Sequence, residues 1–290
     1  TFAERLQIIS VPQPPRAGTY FQSEMIFSWL PLAHQPCPAH LDEREPTGGL
    51  VPGFGYTPFL VGQVAVRKEH VMLERMRPSD ALVAAGRLAG QRGLLWGTSG
   101  NMSARVAADQ FIMTARGTML DSLSQDDLIL CGIGDAAEET PPEASSEIQV
   151  HRRIYQLRAD VQSVIHLSPP YATLAACTNL DLPTDLIPEP VLYLGRIVRV
   201  PYIQPGSDDL GRALAQGIGQ ESVVLMENHG AVTVGASVAE AFRRMEVLEF
   251  LARLLVTARN ADLVPLGIGP DAANALYRSV YATGGSSSSG

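Results

Sequence analysis

From residue 78 onward, several of the strands legible in the sequence are joined by links too short for them to run parallel. This limits the fold more than any other feature of the chain. Residues 102–106 and 111–114 read as two short strands with a tight turn between them. Residues 222–226 and 231–234 form a second pair that turns at Asn228-His229-Gly230. A parallel crossover takes a dozen or more residues, and these links hold only a few. Further strands are expected at 128–131, 161–166 and 197–201. Helical apolar spacing marks 80–94, 146–158, 170–177, a helix opening at Ser207, and a long helix from Val238 to about Ala258. Ser79 and Ser145 are the expected caps of the first two helices. The pattern predicts an α/β fold with a mixed or antiparallel central sheet flanked by helices, not a doubly wound parallel one.

The chain has 290 residues, enough for one large α/β domain with an appendage or for two small domains. We expect a Pro/Gly-rich, loop-rich N-terminal extension over 1–77, the main domain over 78–268 and a tail over 269–290. The extension carries Phe21, Phe27, Trp29, Phe54 and Phe59, too many aromatics for a disordered arm, and should pack on its own body or on a neighbouring subunit. Its last part, 64–76, reads as a short helix. A net charge of −8 without a Lys/Arg cluster argues against nucleic acid as a partner. No apolar run reaches the roughly 18 residues that would span a bilayer, and residues 1–20 show no secretory leader. Three scattered cysteines, Cys37, Cys131 and Cys177, form no disulfide framework or Cys-rich metal site. A reducing cytoplasm fits them.

Five local features could carry chemistry, and each also has an ordinary reading. Gly97-Thr-Ser-Gly-Asn101-Met-Ser103 could present backbone amides to an anion, or be a plain turn. Arg116, in Thr114-Ala-Arg116-Gly117, could grip a carboxylate or phosphate, or be solvated. Glu147 and His151, in Ser145-Ser146-Glu147-x-x-x-His151, stand four apart on one helix face, where capping and a surface pair would suffice. His166 closes a buried strand before Leu167-Ser168-Pro169-Pro170 and can point into a cleft or rest in the core. His229, in Asn228-His229-Gly230, is a second histidine at a strand end, and imidazole is the commonest neutral metal ligand.

The order of these features carries more than any one of them. Gly100-Asn101-Met-Ser103, Thr114-Ala-Arg116-Gly117, Ser145-Ser146-Glu147, His166-Leu-Ser168-Pro169, Pro205-Gly206-Ser207, Asn228-His229-Gly230 and Glu246-Val-Leu-Glu249 follow one another over residues 80–265. That succession resembles the class II aldolase/adducin family. The resemblance implies a three-layer class II aldolase-like fold. It implies Glu147 as catalytic acid/base, and a divalent metal (zinc, iron(II) or manganese) on His166 and His229. Asn101, Ser145 and Ser146 would contact the substrate, joined by Arg116, Gly117, Ser168 and His151. It further implies a homotetramer with active sites between neighbours.

Two positions depart from the family pattern. Ser168 stands where the second His of H-x-H would be, and Arg116 replaces the Ser of T-x-S-G. Serine is a poor zinc ligand, which leaves three outcomes. In the first, Glu147 completes a two-His, one-carboxylate set of the kind used by non-haem iron(II) oxygenases that decarboxylate 2-oxo acids. In the second, water, His151, His70, His34 or His40 fills the gap in a lyase that breaks a C–C bond by aldol cleavage or decarboxylation. In the third, the metal is lost, leaving a non-catalytic, adducin-like binding protein. The lyase is the leading expectation, because Glu147, Asn101 and both serines are intact. Arg116 points to a small carboxylate-bearing oxo or hydroxy acid, aromatic acids included.

Overall fold

The structure is a computed structural model that describes residues 68–134 and 140–281. Helix α1 is described over 68–74, within the expected 64–76 segment. The rest of the Pro/Gly-rich extension, with His34 and His40, lies outside the described residues. Helix α2 (Pro78–Gln91) follows, then β1 (Asn101–Ala107), β2 (Gln110–Thr114) and β3 (Leu128–Gly132). Next come α3 (Ile148–Leu157), β4 (Ser163–Leu167), α4 (Pro170–Ala176), α5 (Pro188–Tyr193), β5 (Ile197–Val200) and α6 (Asp208–Ile218). The chain continues through β6 (Val223–Met226), β7 (Gly230–Gly235), α7 (Val238–Asn260) and α8 (Pro270–Tyr281).

The seven strands form one sheet in the order β3-β2-β1-β4-β7-β6-β5. Every neighbouring pair is antiparallel except β5 and β6. The sheet is therefore mixed, as the short links require. Strand alternation gives it two apolar faces. Met102, Ile165, Leu167 and Leu225 pack with α2, α4 and α7 on one side. Phe111, Val164, Val224 and Val232 pack with α3 and α6 on the other. Helices on both faces make three layers.

The sequence reading differs from the structure in a few places. Pro78 occupies the first helical turn of α2 and Arg77 its cap position without a capping side chain, so Ser79 lies inside the helix. Proline suits that turn because the amide it lacks would have no partner there. Two short helices were not expected: α5, opened by Pro188, and α8, which falls within the expected tail. Helix α5 has only six residues, too few to show an apolar period.

Candidate metal centre

The centre is assembled at one end of β4. Val164 faces α3 while Ile165 and Leu167 face α7, so strand alternation puts His166 on the α3 side. In register it stands beside Asn101 of β1 and Val232 of β7. His229 sits in the turn between β6 and β7. Asn228 takes the left-handed conformation there, with φ of 56°, which asparagine tolerates better than most residues. Gly230 has no room for a side chain, because a Cβ would lie 2.7 Å from the Leu167 carbonyl and 2.8 Å from Ser168 Oγ. Gly100, at φ of 90°, likewise lies against the His166 carbonyl. These glycines let two turns close on the end of β4.

Glu147 comes from the opposite layer and occupies the N-cap position of α3. His166 Nε2 is 3.2 Å from its Oε2, and His229 Nε2 is 3.2 Å from its Oε1. The imidazole rings lie edge to face with centroids 4.8 Å apart. Two donors bound tetrahedrally about 2.1 Å from one ion are about 3.4 Å apart, so these separations suit a shared cation. Among the described residues, these three side chains form the group that could hold a metal ion.

Hydrogen bonding supports the same reading. His166 Nδ1 is 3.0 Å from the Ala231 carbonyl. A carbonyl only accepts, so Nδ1 carries the proton and the lone pair of a neutral ring lies on Nε2, facing Glu147. Two acceptors so placed repel unless a proton or a metal cation lies between them. Burial opposes charge on His166, but the Glu147 carboxylate outweighs it and raises the imidazole pKa. Burial would also raise the Glu147 carboxyl, yet His166 and then His229 hold it below the usual carboxylate range. Two buried atoms of the cluster, Glu147 Oε1 and His229 Nδ1, have no hydrogen-bond partner. Buried polar atoms are seldom left so. The donor set and its orphaned oxygen therefore fit a divalent cation.

The other expected residues fall into groups. Asn101 is buried, with Nδ2 donating to Glu147 Oε2 at 2.8 Å and Oδ1 2.5 Å from His151 Nε2. His151 is thus behind Glu147 and is not a ligand. Its other ring nitrogen meets Ser103 Oγ at 2.6 Å, and burial, reinforced by His166, pushes its pKa down to about 3. His70 is not a ligand either; it lies 2.8 Å from Glu246 of α7. Ser168 donates to the His229 carbonyl at 3.2 Å and so braces the turn instead of filling the missing imidazole's role. Ser145 does not cap α3 as expected. Its Oγ accepts from the Glu147 amide at 3.3 Å, two residues before the cap position, which Glu147 itself holds.

Arg116, Gly117 and Ser146 are exposed. The Arg116 amide donates to the Glu143 carbonyl at 2.8 Å, and Ala115 bridges to Ala144, so segments 114–117 and 143–146 run together. Gly206, at φ of 78°, packs a further turn against Ser146. One contributor, Tyr155, was not singled out from sequence. Tyr155 meets Ser103 Oγ at 2.8 Å, and its place four residues after His151 was the available signal. Glu249 accepts from the amides of Tyr171 (3.0 Å) and Ala172 (2.7 Å), fixing the start of α4 just after His166-Leu-Ser168.

Comparison with known proteins identifies the family. The Class II Aldolase and Adducin N-terminal domain pattern matches residues 80–256. A 3-oxo-tetronate 4-phosphate decarboxylase of Haemophilus influenzae is 29% identical over 190 residues, covering 63% of this chain and 89% of that protein. An L-fuculose phosphate aldolase of Methanococcus maripaludis is 31% identical over 169 residues, covering 58% of this chain and 90% of the relative. Among solved structures, YgbL of Klebsiella pneumoniae superposes with a TM-score of 0.62 at 28% identity, covering 69% of this chain and 97% of that one. Its description leaves the activity open among aldolase, epimerase and decarboxylase. The relatives named here give no support to the iron oxygenase alternative. With the family's sequence pattern spanning most of the main domain and its fold reproduced in the sheet and both helical layers, the chain belongs to the class II aldolase and adducin N-terminal domain family.

Proposed function

We propose that this protein is a metal-dependent lyase that breaks a C–C bond, by decarboxylation or aldol cleavage, in a small oxo or hydroxy acid. The observation that carries the reading is the meeting of Glu147, His166 and His229 around a buried, unpartnered carboxylate oxygen. A divalent cation held by the two imidazoles, with Glu147 beside them, supplies Lewis-acid polarisation of the oxygen next to the breaking bond. Zinc, iron(II) and manganese are each compatible with two imidazoles and a carboxylate.

The chain's own groups divide the remaining work. Glu147 moves the proton, and Oε1 is the oxygen free to do it, since Oε2 is engaged by Asn101. The Ala231 carbonyl fixes the His166 ring and its tautomer. Arg116, Gly117, Ser145 and Ser146, on two segments that run side by side, are the proposed grip on the substrate's anionic group. The names of the relatives bring phosphate as well as oxo-acid chemistry into consideration. The exposed guanidinium of Arg116 favours a carboxylate for this chain. We place the active unit in a homotetramer, as the family resemblance implies, and in the reducing cytoplasm that the three scattered cysteines fit.

The test is metal analysis of protein purified without chelator, together with turnover of oxo and hydroxy acids offered with and without a phosphate. Near-stoichiometric metal and release of CO₂ or an aldehyde are expected, lost on chelation and in Glu147→Gln. Metal-free protein that turns over nothing on the panel after reloading would refute the reading. Light scattering tests the tetramer.

A further inference from the structure

Behind Glu147, α3 and β1 interlock in a way that the metal centre alone does not require. Glu147, His151 and Tyr155 follow one another at intervals of four along α3. Asn101 and Ser103 are two apart on β1. Four helical residues advance about 6 Å and two strand residues about 6.7 Å, so the two rows keep step. Each β1 side chain then falls between two α3 side chains, giving the succession Glu147, Asn101, His151, Ser103, Tyr155. Successive contacts are 2.8, 2.5, 2.6 and 2.8 Å.

The direction of every hydrogen bond in this row is determined. A carboxylate only accepts, so Asn101 presents Nδ2 to Glu147 and Oδ1 to His151. An amide oxygen only accepts, so His151 carries its proton on Nε2. His151 is fully buried and its pKa is pushed down to about 3, so the ring is neutral and Nδ1 is a bare acceptor. Ser103 must then give its single proton to Nδ1, and its oxygen accepts from the Tyr155 hydroxyl. All the donors point the same way and converge on Glu147 Oε2.

We propose that Ser103, His151 and Tyr155 are positioning residues that act through Asn101 to commit Glu147 Oε2 to the protein, leaving Oε1 as the oxygen that faces the reacting centre. The proposal rests on the lyase reading for the role of Oε1, but the row of donors can be tested without it. In ¹⁵N-labelled, metal-free protein, His151 should be the neutral Nε2–H tautomer from about pH 5 to about pH 8. Ser103→Ala and Tyr155→Phe should weaken zinc binding and lower kcat by about tenfold, with KM within about twofold. Ser163→Ala is the control. Ser163 is equally buried and donates to the Ser103 carbonyl at 2.9 Å, outside the row of side chains. It should leave zinc affinity and kcat unchanged, whereas a merely structural role for Ser103 would move both variants alike. A proton on Nδ1 of His151, or equal effects of Ser103→Ala and Ser163→Ala on zinc affinity, would overturn the proposal. A protein inert toward every substrate, yet showing the Nε2–H tautomer and the zinc effect, would refute the reaction and uphold the positioning role.

Discussion

Replacing Ser168 with histidine should convert a two-imidazole centre into a three-imidazole one. The missing Cβ of Gly230 would lie 2.8 Å from Ser168 Oγ and 3.3 Å from His166 Cε1, so both side chains reach the same spot beside the centre. Ser168 is only 6% exposed, which keeps a new imidazole there out of bulk water. A structural zinc site with four ligands binds with about 10–16 kcal/mol, or about 3 kcal/mol per ligand. Against this stands the Ser168 hydrogen bond to the His229 carbonyl, whose loss costs about 1 kcal/mol. The net gain is about 2 kcal/mol, or zinc affinity about 30-fold tighter. Competition against a chromophoric zinc chelator at fixed pH measures it. Ser168→Ala, which loses the hydrogen bond and gains no ligand, should bind about fivefold more weakly than the parent. If Ser168→His melts like the parent yet binds zinc no tighter than Ser168→Ala, then Ser168 does not border the metal centre and the geometry argued above is wrong.

Glu147→Gln keeps the shape of the acid/base and removes its charge; kcat should fall by at least about 100-fold, and a loss under tenfold would exclude proton transfer by this residue. Gly230→Ala forces a methyl group against the Leu167 carbonyl and Ser168 Oγ. It should destabilise the fold by about 1–3 kcal/mol and weaken zinc binding together, as read by chemical denaturation and chelator competition. Cys131 is buried, with burial raising its thiol pKa to about 11, whereas Cys177 is exposed. Maleimide labelling and peptide mapping at neutral pH should therefore modify Cys177 and spare Cys131. The folded state holds His151 neutral down to about pH 3, while an unfolded histidine protonates near 6.5. Between those values the unfolded chain binds more protons, so this residue's contribution to stability is complete above pH 6.5 and declines on acidification. His151→Phe should show a shallower acid limb than the parent in urea denaturation.

What the sequence makes legible is local, and what it hides is mostly contact between layers. The antiparallel pairs β1–β2 and β6–β7 followed from link length, and the turns at Gly100 and Gly230 from residue type, because both are settled within a few residues. His166 and His229 stood out since a histidine ending an apolar strand breaks the pattern. The role of His151 was harder to read. Spacing four from Glu147 suggested a shared helix face, but nothing local shows that Asn101, from another strand, lies between the two side chains. Tyr155 was concealed by the same cause, as a tyrosine at an apolar helical position looks like ordinary core. Ser145 misled in the opposite sense. Its residue type favours capping, yet α3 takes Glu147, two residues later, as its cap.

The two departures from the family pattern leave the support of the centre intact. Arg116 is exposed, and Ser168 touches the turn through one backbone hydrogen bond. Asn101, Glu147, His151 and His166 are all buried. Burying a carboxylate among imidazoles costs desolvation that an apolar cluster of the same volume would avoid. For a chain whose task was only to fold and bind a partner, this cluster would be a standing loss of stability. That loss is recovered when a cation occupies the space between Glu147, His166 and His229, because the orphaned Glu147 Oε1 then has a charge to face. The buried chemistry therefore favours a working metal centre over a non-catalytic adducin-like role.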